Sequence, residues 1–149
     1  MKYAVWFVRL VYGAWMVPAG LEHFIHIFPQ PMGGTPLSSE VINALLASHL
    51  FDVVKAVELV AGGLCVLSGF YTPLALVVCM PVAFNVFYWD APLMGWTSSA
   101  SHFGDAVLFC NLFLCAAYYK SYRAMFTLWA KPRAAGAPSA GTTAQTAGA

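Results

Sequence analysis

Residues 4–28 form one predominantly apolar stretch of 25 residues, and this feature narrows the folds open to the chain more than any other. About 20 apolar residues in a helix span the hydrocarbon core of a bilayer. The stretch is also too long for the apolar segment of a cleaved signal peptide, typically about 7–15 residues. Three more apolar stretches follow. One begins between Asn43 and Leu50 and ends near Leu67, one runs from Thr72 to Trp89, and one from Phe103 to about Tyr119 or beyond. The expected architecture is all-α, an integral membrane four-helix bundle with spans about 4–28, 48–67, 72–89 and 103–122 inside a domain covering residues 1–130.

Composition agrees with that reading. Of the 149 residues, 60% are hydrophobic and 9% charged, whereas a soluble domain carries about 25% charged residues. Seven basic and six acidic side chains cannot solvate a globule of this size, so lipid is the solvent for most of the surface. A formal net charge of +1 supplies no field for nucleic acid, and none is expected as a partner. The four cysteines, Cys65, Cys79, Cys110 and Cys115, lie in apolar runs without Cys-x-x-Cys spacing and read as small packing residues.

The connections set the layout. Pro29, Pro31, Gly33, Gly34 and Pro36 keep residues 28–39 from being helical, after which Ser38 and Ser39 are placed to cap a new helix with Glu40 near its positive end. Gly69-Phe70-Tyr71-Thr72-Pro73 is so short a link that spans two and three must be antiparallel neighbours. Residues 89–101, with Pro92, Gly95 and Trp96, form the third connection, and residues 131–149 read as a disordered Ala/Gly/Thr/Ser tail. Lys2, Lys120, Arg123, Lys131 and Arg133 flank the termini, so the positive-inside tendency puts both termini in the cytoplasm, with Arg9 near the inner end. The chain is thus expected as a multi-pass membrane protein.

Under that topology the six acidic residues gather toward the outer side, and polar residues distant in sequence converge at one depth. Glu22, His23 and His26 come from the first span, Asp52, Lys55 and Glu58 from the second, Asn85 from the third, and His102 and Asp105 from the fourth. At 100° per residue, Tyr12, Trp15, Ala19, Glu22, His23 and His26 share a sector expected to face the interior. Asp52, Lys55 and Glu58 form an i,i+3 ladder descending about 9 Å. Each charge at such depth costs roughly 2.5–3.5 kcal/mol even on lenient insertion scales, so the groups should pair, protonate or line a polar cavity. Four carboxylates face one ammonium, which calls for protonated carboxyls, protonated histidines or a bound cation or polar ligand.

Several roles remain open on these residues. Buried pairs such as Lys55 with Glu58 could serve only to specify helix packing. Two histidines on facing spans could hold haem, although the Lys55–Glu58 ladder would then be unexplained. Glu22 and His26 at i,i+4, with a third carboxylate, could hold a divalent metal. A quinone head group would use histidine or protonated carboxyl donors with aromatic walls from Tyr12, Trp15, Tyr88 and Trp89. His49 reads as interfacial, and Asn111 as an interhelical hydrogen-bonding residue away from the outer cluster.

Arg9-x-x-x-Gly13, Gly20-Leu21-Glu22-His23-Phe24, Lys55-x-x-Glu58-Leu59-x-x-Gly62, Gly69-Phe70-Tyr71-Thr72-Pro73 and Asn85 together resemble the DoxX family of small four-span bacterial membrane proteins, over roughly residues 4–125. The resemblance implies a membrane subunit of a redox assembly, of the kind found as the small subunit of thiosulfate:quinone oxidoreductase, and singles out Arg9, Lys55, Glu58 and Asn85. The function expected is a membrane subunit contacting quinone near the outer face. Glu22, His23 and His26 would position the head group or shuttle protons, Lys55 and Glu58 would set the charge, and Asp105 with His102 would close the pocket. Trp15, Tyr12, Trp89 and Asn85 would line it. No intrinsic electron carrier is expected, so the bilayer, a partner redox protein and a second copy of the chain are the partners to look for. The alternatives are a non-catalytic assembly or partner-binding protein and a small metal- or solute-handling protein.

Overall fold

The computed structural model describes residues 2–26, 34–96 and 101–126, and among them there is helix and no strand. The first helix, α1, covers Lys2–Ile25. α2 covers Pro36–Ala47. α3 occupies residues 50–68, α-helical over Leu50–Val57, widened to a π-helix over Glu58–Cys65, and closed by a turn at Val66–Ser68. α4 is α-helical over Thr72–Tyr88 and continues as a π-helix over Trp89–Leu93. α5 is Ser101–Ala117, and α6 is Tyr119–Tyr122, prolonged by a 3-10 turn at Arg123–Phe126.

Several boundaries differ from the sequence reading, each for a local reason. α2 starts at Pro36 rather than after Ser39, because Thr35 is its N-cap. The Thr35 hydroxyl accepts from the Ser38 amide at 3.2 Å while Ser38 Oγ accepts from the Thr35 amide at 3.0 Å, and Pro36 brings a preset φ to the first helical position. Ser38 is therefore inside the helix as the reciprocal partner of the cap. His49, with φ of +58°, separates α2 from α3. The third apolar helix passes Trp89 and ends at Leu93, Pro92 sitting in its widened last turn. The fourth breaks at Tyr118 instead of continuing to Tyr122. Residues 27–33, 97–100 and 127–149, which include part of the first and third connections and the tail, lie outside the described residues.

α1 packs against α3 and α5, and α4 packs against the same two helices from the other side. Tyr12 and Met16 of α1, Val66 of α3, Leu76 and Ala83 of α4, and Val107 and Leu114 of α5 meet in one buried cluster. Outward-facing residues are equally apolar, with Phe7, Val60, Leu64, Phe84 and Phe109 all more than half exposed. Lys2–Ile25 and Thr72–Leu93 are long and apolar enough to cross a membrane by length and composition, and His102–Ala117 is a shorter apolar helix. α3 has a charged first half and an apolar second half.

Glycine sets how closely α1 and α3 approach. A β-carbon on Gly20 would fall 2.6 Å from the Leu59 amide nitrogen and 2.8 Å from the Lys55 carbonyl oxygen, and one on Gly63 would meet Val17 Cγ2 at 2.7 Å. The two backbones are therefore in near contact, as small residues allow in packed apolar helices.

One polar group lies at the centre of the core. Asn111, fully buried, donates from Nδ2 to the Tyr12 hydroxyl at 3.0 Å and to the Leu76 carbonyl at 3.4 Å, while Cys115 Sγ donates to its Oδ1 at 3.5 Å. The interhelical role read from the sequence is what the structure gives this residue. Replacing Asn111 by Leu strips the buried Tyr12 hydroxyl of a donor, and the expected result is a loss of about 1–3 kcal/mol in unfolding free energy in detergent micelles. Tyr12→Phe in the Asn111→Leu background should restore part of it, and a neutral single variant would mean that the bond contributes nothing.

Candidate functional site

The polar cluster forms where the C-terminal turns of α1, the N-terminal half of α3 and the end of α4 meet. Gly20 brings α1 onto α3, so Glu22 and His23 lie beside the first turns of α3. His23 Nε2 is 2.6 Å from Asp52 Oδ1, and the other carboxylate oxygen of Asp52 is 3.1 Å from His49 Nδ1. Asp52 thus bridges two histidines, one largely buried and one at the surface. Below it, Lys55 Nζ donates to Glu58 Oε2 at 2.8 Å. The Phe51 ring separates the two ionic groups, with the His23 ring edge-on at 5.0 Å and Lys55 Nζ 5.2 Å from its centroid.

Glu22 and Glu58 are each only 3% exposed, a depth at which a carboxylate in an apolar helix packing carries a large desolvation cost. Glu58 opens the π-helical stretch of α3 and lies within electrostatic reach of Tyr12 and Cys79. π-helical turns inserted in α-helices occur often at functional sites. Asp90 is half-buried on the widened last turn of α4, within electrostatic reach of Lys55 and packed where Gly104 of α5 leaves room, 2.8 Å from a β-carbon built there. α2 covers this end: Thr35 Oγ1 donates to the Leu93 carbonyl at 3.0 Å, and the Gly34 amide lies 2.9 Å from Met94 Sδ.

The sequence-derived site residues divide into two groups. Lys55 pairs with Glu58, and His23, next in the chain to the buried Glu22, pairs with Asp52, while Tyr12 is buried in the core. His26, Asn85, His102 and Asp105 are exposed, and Trp89 is half-buried. Trp15 is not on the interior face assigned to it. It is 47% exposed and stacks on Phe103 of α5, ring centroids 5.4 Å apart, because the α1–α5 seam leaves its indole at the outer edge. His26 departs from the helical face for a different reason. It lies just beyond Ile25 with φ of +49°, so the 100° step no longer directs its side chain.

Two contributors escaped the reading of individual residues. Asp90 was assigned to a connection, yet the extra π-helical turn carries it back against the bundle. His49 was read as interfacial, although its i,i+3 spacing to Asp52 signalled the contact it makes. Among the described residues no three histidine, cysteine, aspartate or glutamate side chains are grouped as a metal ion would require. Chemically, each of the two ionic groups can share a proton within itself, carboxylate with imidazole around Asp52 and carboxylate with ammonium at Lys55 and Glu58.

No family model, no curated protein and no solved structure matches the chain.

Proposed function

We propose that the chain is a multi-pass four-helix bundle of a bacterial inner membrane, with both termini cytoplasmic, that serves as the membrane subunit of a redox assembly and contacts quinone through the acidic end of the bundle. The observation that carries this reading is the burial of Glu22 and of Glu58, the latter paired with Lys55, within an otherwise apolar packing. Ionisable groups in membrane-embedded helices are costly and mark sites of proton or ligand handling. Reduction of a quinone consumes two electrons and two protons. In this reading the electrons come from a partner redox protein, and the carboxyl and imidazole groups deliver the protons.

A second reading rests on the pairing itself. His23 with Asp52 and Lys55 with Glu58 already satisfy one another, as they would in an assembly protein whose buried pairs only specify packing and which catalyses nothing.

Gentle extraction from the native membrane followed by native mass spectrometry separates the two. Quinone and a redox protein in near-stoichiometric amounts are expected, and in the assembled complex Glu58→Gln should lower quinol production by about a hundredfold, the low end of general-acid contributions. A chain that carries only bulk lipid, or full turnover by Glu58→Gln, would sink the quinone reading in favour of the assembly role.

A further inference from the structure

At the end of the bundle opposite the acidic cluster, an open groove of about 350 Å³ lies between α1 and the end of α5, lined by Lys2, Val5, Trp6, Arg9, Ala117 and Tyr118. The four α1 residues fall at i, i+3, i+4 and i+7 and make one stripe, which a helix presents on one side. The break of α5 at Tyr118 opens the opposite wall. We infer that this groove is a binding site for the phosphodiester head group of an anionic phospholipid. The inference rests on the membrane placement proposed above.

The argument begins with the charge. Two cations line the groove and no carboxylate does. The six acidic residues of the chain lie elsewhere, and Glu22, the acid of the same helix, sits about 20 Å from Arg9 along the axis at 1.5 Å per residue. None of the ion pairs among the described residues involves Arg9.

Its hydrogen bonding is equally incomplete. A guanidinium offers five N–H donors. Here Nε is buried without a hydrogen-bond partner, and the terminal Nη1 reaches the Tyr118 hydroxyl at only 3.5 Å. The guanidinium lies beside the Gly69 turn, where a β-carbon would be 3.5 Å from Nη1. An under-used planar donor set beside a second cation suits an anion with several acceptor oxygens, and arginine binds phosphate in this way.

The groove also selects what must be attached to the anion. Val5, Trp6 and Ala117 form its apolar walls, and Trp6 and Phe7 continue the surface outward at 56% and 64% exposed. Free phosphate leaves those walls unoccupied, whereas a phospholipid lays its glycerol and first methylenes on them. A tryptophan at that level suits the membrane interface. Basic pockets between membrane helices on the cytoplasmic side bind anionic lipid head groups on the same grounds.

The test uses the full chain in a neutral detergent, titrated with phosphatidylglycerol or with phosphatidylcholine of the same acyl chains and read by native mass spectrometry. Phosphatidylglycerol should be retained at least about fivefold more strongly, the factor expected for one cation near the surface, and Arg9→Gln and Lys2→Gln should each lower its retention by about fivefold. Arg123→Gln, exposed and outside the groove, should leave it unchanged. Where Arg9→Gln does not fold, the Lys2→Gln and Trp6→Ala variants carry the test, since both positions are on the outer rim.

Equal retention of the two lipids, or an Arg123→Gln loss matching that of the groove variants, overturns the site in favour of diffuse surface charge. Displacement of phosphatidylglycerol by millimolar inorganic phosphate overturns the lipid as the occupant and assigns the site to the free anion. Extraction of the chain into buffer without detergent overturns the membrane placement and the lipid site together, whereas a detergent-requiring chain without lipid preference overturns the lipid site alone.

Discussion

Lys55→Met is expected to destabilise the protein by about 3–5 kcal/mol, because it removes the cation from a pair whose carboxylate is left buried. Lys55 and Glu58 side chains are 16% and 4% exposed, so water cannot take over the role of the lost partner. Asp90, within electrostatic reach of Lys55, loses a nearby cation as well. The sign reverses when both partners go. Lys55→Met with Glu58→Met exchanges the ion pair for apolar volume and should recover most of the loss, since buried ion pairs gain little net stability over apolar replacements. Unfolding in mixed micelles of increasing dodecyl sulfate content gives the free energies of the parent, the single and the double variant. A single-variant loss below about 1 kcal/mol would show that the pair behaves as an exposed one does.

Gly20→Val should be the most damaging substitution on the α1–α3 seam. Replacing a mid-helix glycine by alanine ordinarily gains about 1 kcal/mol in helix propensity. Here a β-carbon would lie within 2.8 Å of two backbone atoms of α3, and backbone cannot rotate away as a side-chain tip can. Gly20→Ala is therefore expected to lose about 1–3 kcal/mol despite the propensity gain, and the β-branched valine more. Gly63→Ala should cost less, because its closest obstruction is a methyl group of Val17. Since Gly20 lies two and three residues before Glu22 and His23, parting the helices should also break the 2.6 Å contact between His23 and Asp52. The His23 imidazole resonances, followed by NMR in Gly20→Ala, report that contact directly. Thermal denaturation in detergent ranks the three variants, and a Gly20→Ala chain more stable than the parent would disprove the close approach.

The helical class and the approximate position of each long helix were legible in the sequence, because long apolar runs and Pro/Gly-rich connections act locally and need no knowledge of neighbours. The common depth expected of Glu22, His23, Lys55 and Glu58 came from the rise per residue along the first two spans, and the structure brings His23 to Asp52 and Lys55 to Glu58. Depth, however, says nothing about azimuth once helices tilt and pack. Asn85, His102 and Asp105 lie on helices of the same bundle, yet the structure leaves them exposed, and Trp15 stacks on Phe103 at the margin of a seam instead of entering the core. Packing decided that Asp90 turns back on the bundle through a π-helical turn, whereas the cap at Thr35 rests on a local Thr35–Ser38 exchange that the sequence reading passed over.

The groove at Arg9 shows the same division. Sequence placed Arg9 near the basic end of the molecule, but whether its guanidinium found a carboxylate depended on which helix ends came to face it. By itself the sequence determined that this chain is helical, apolar on its outer faces and polar at chosen depths, because those properties follow from composition and period. Only the tertiary structure decided which charges are paired, since pairing is settled across a few ångströms by helix rotation, and glycine contacts such as Gly20 against Leu59 set that rotation.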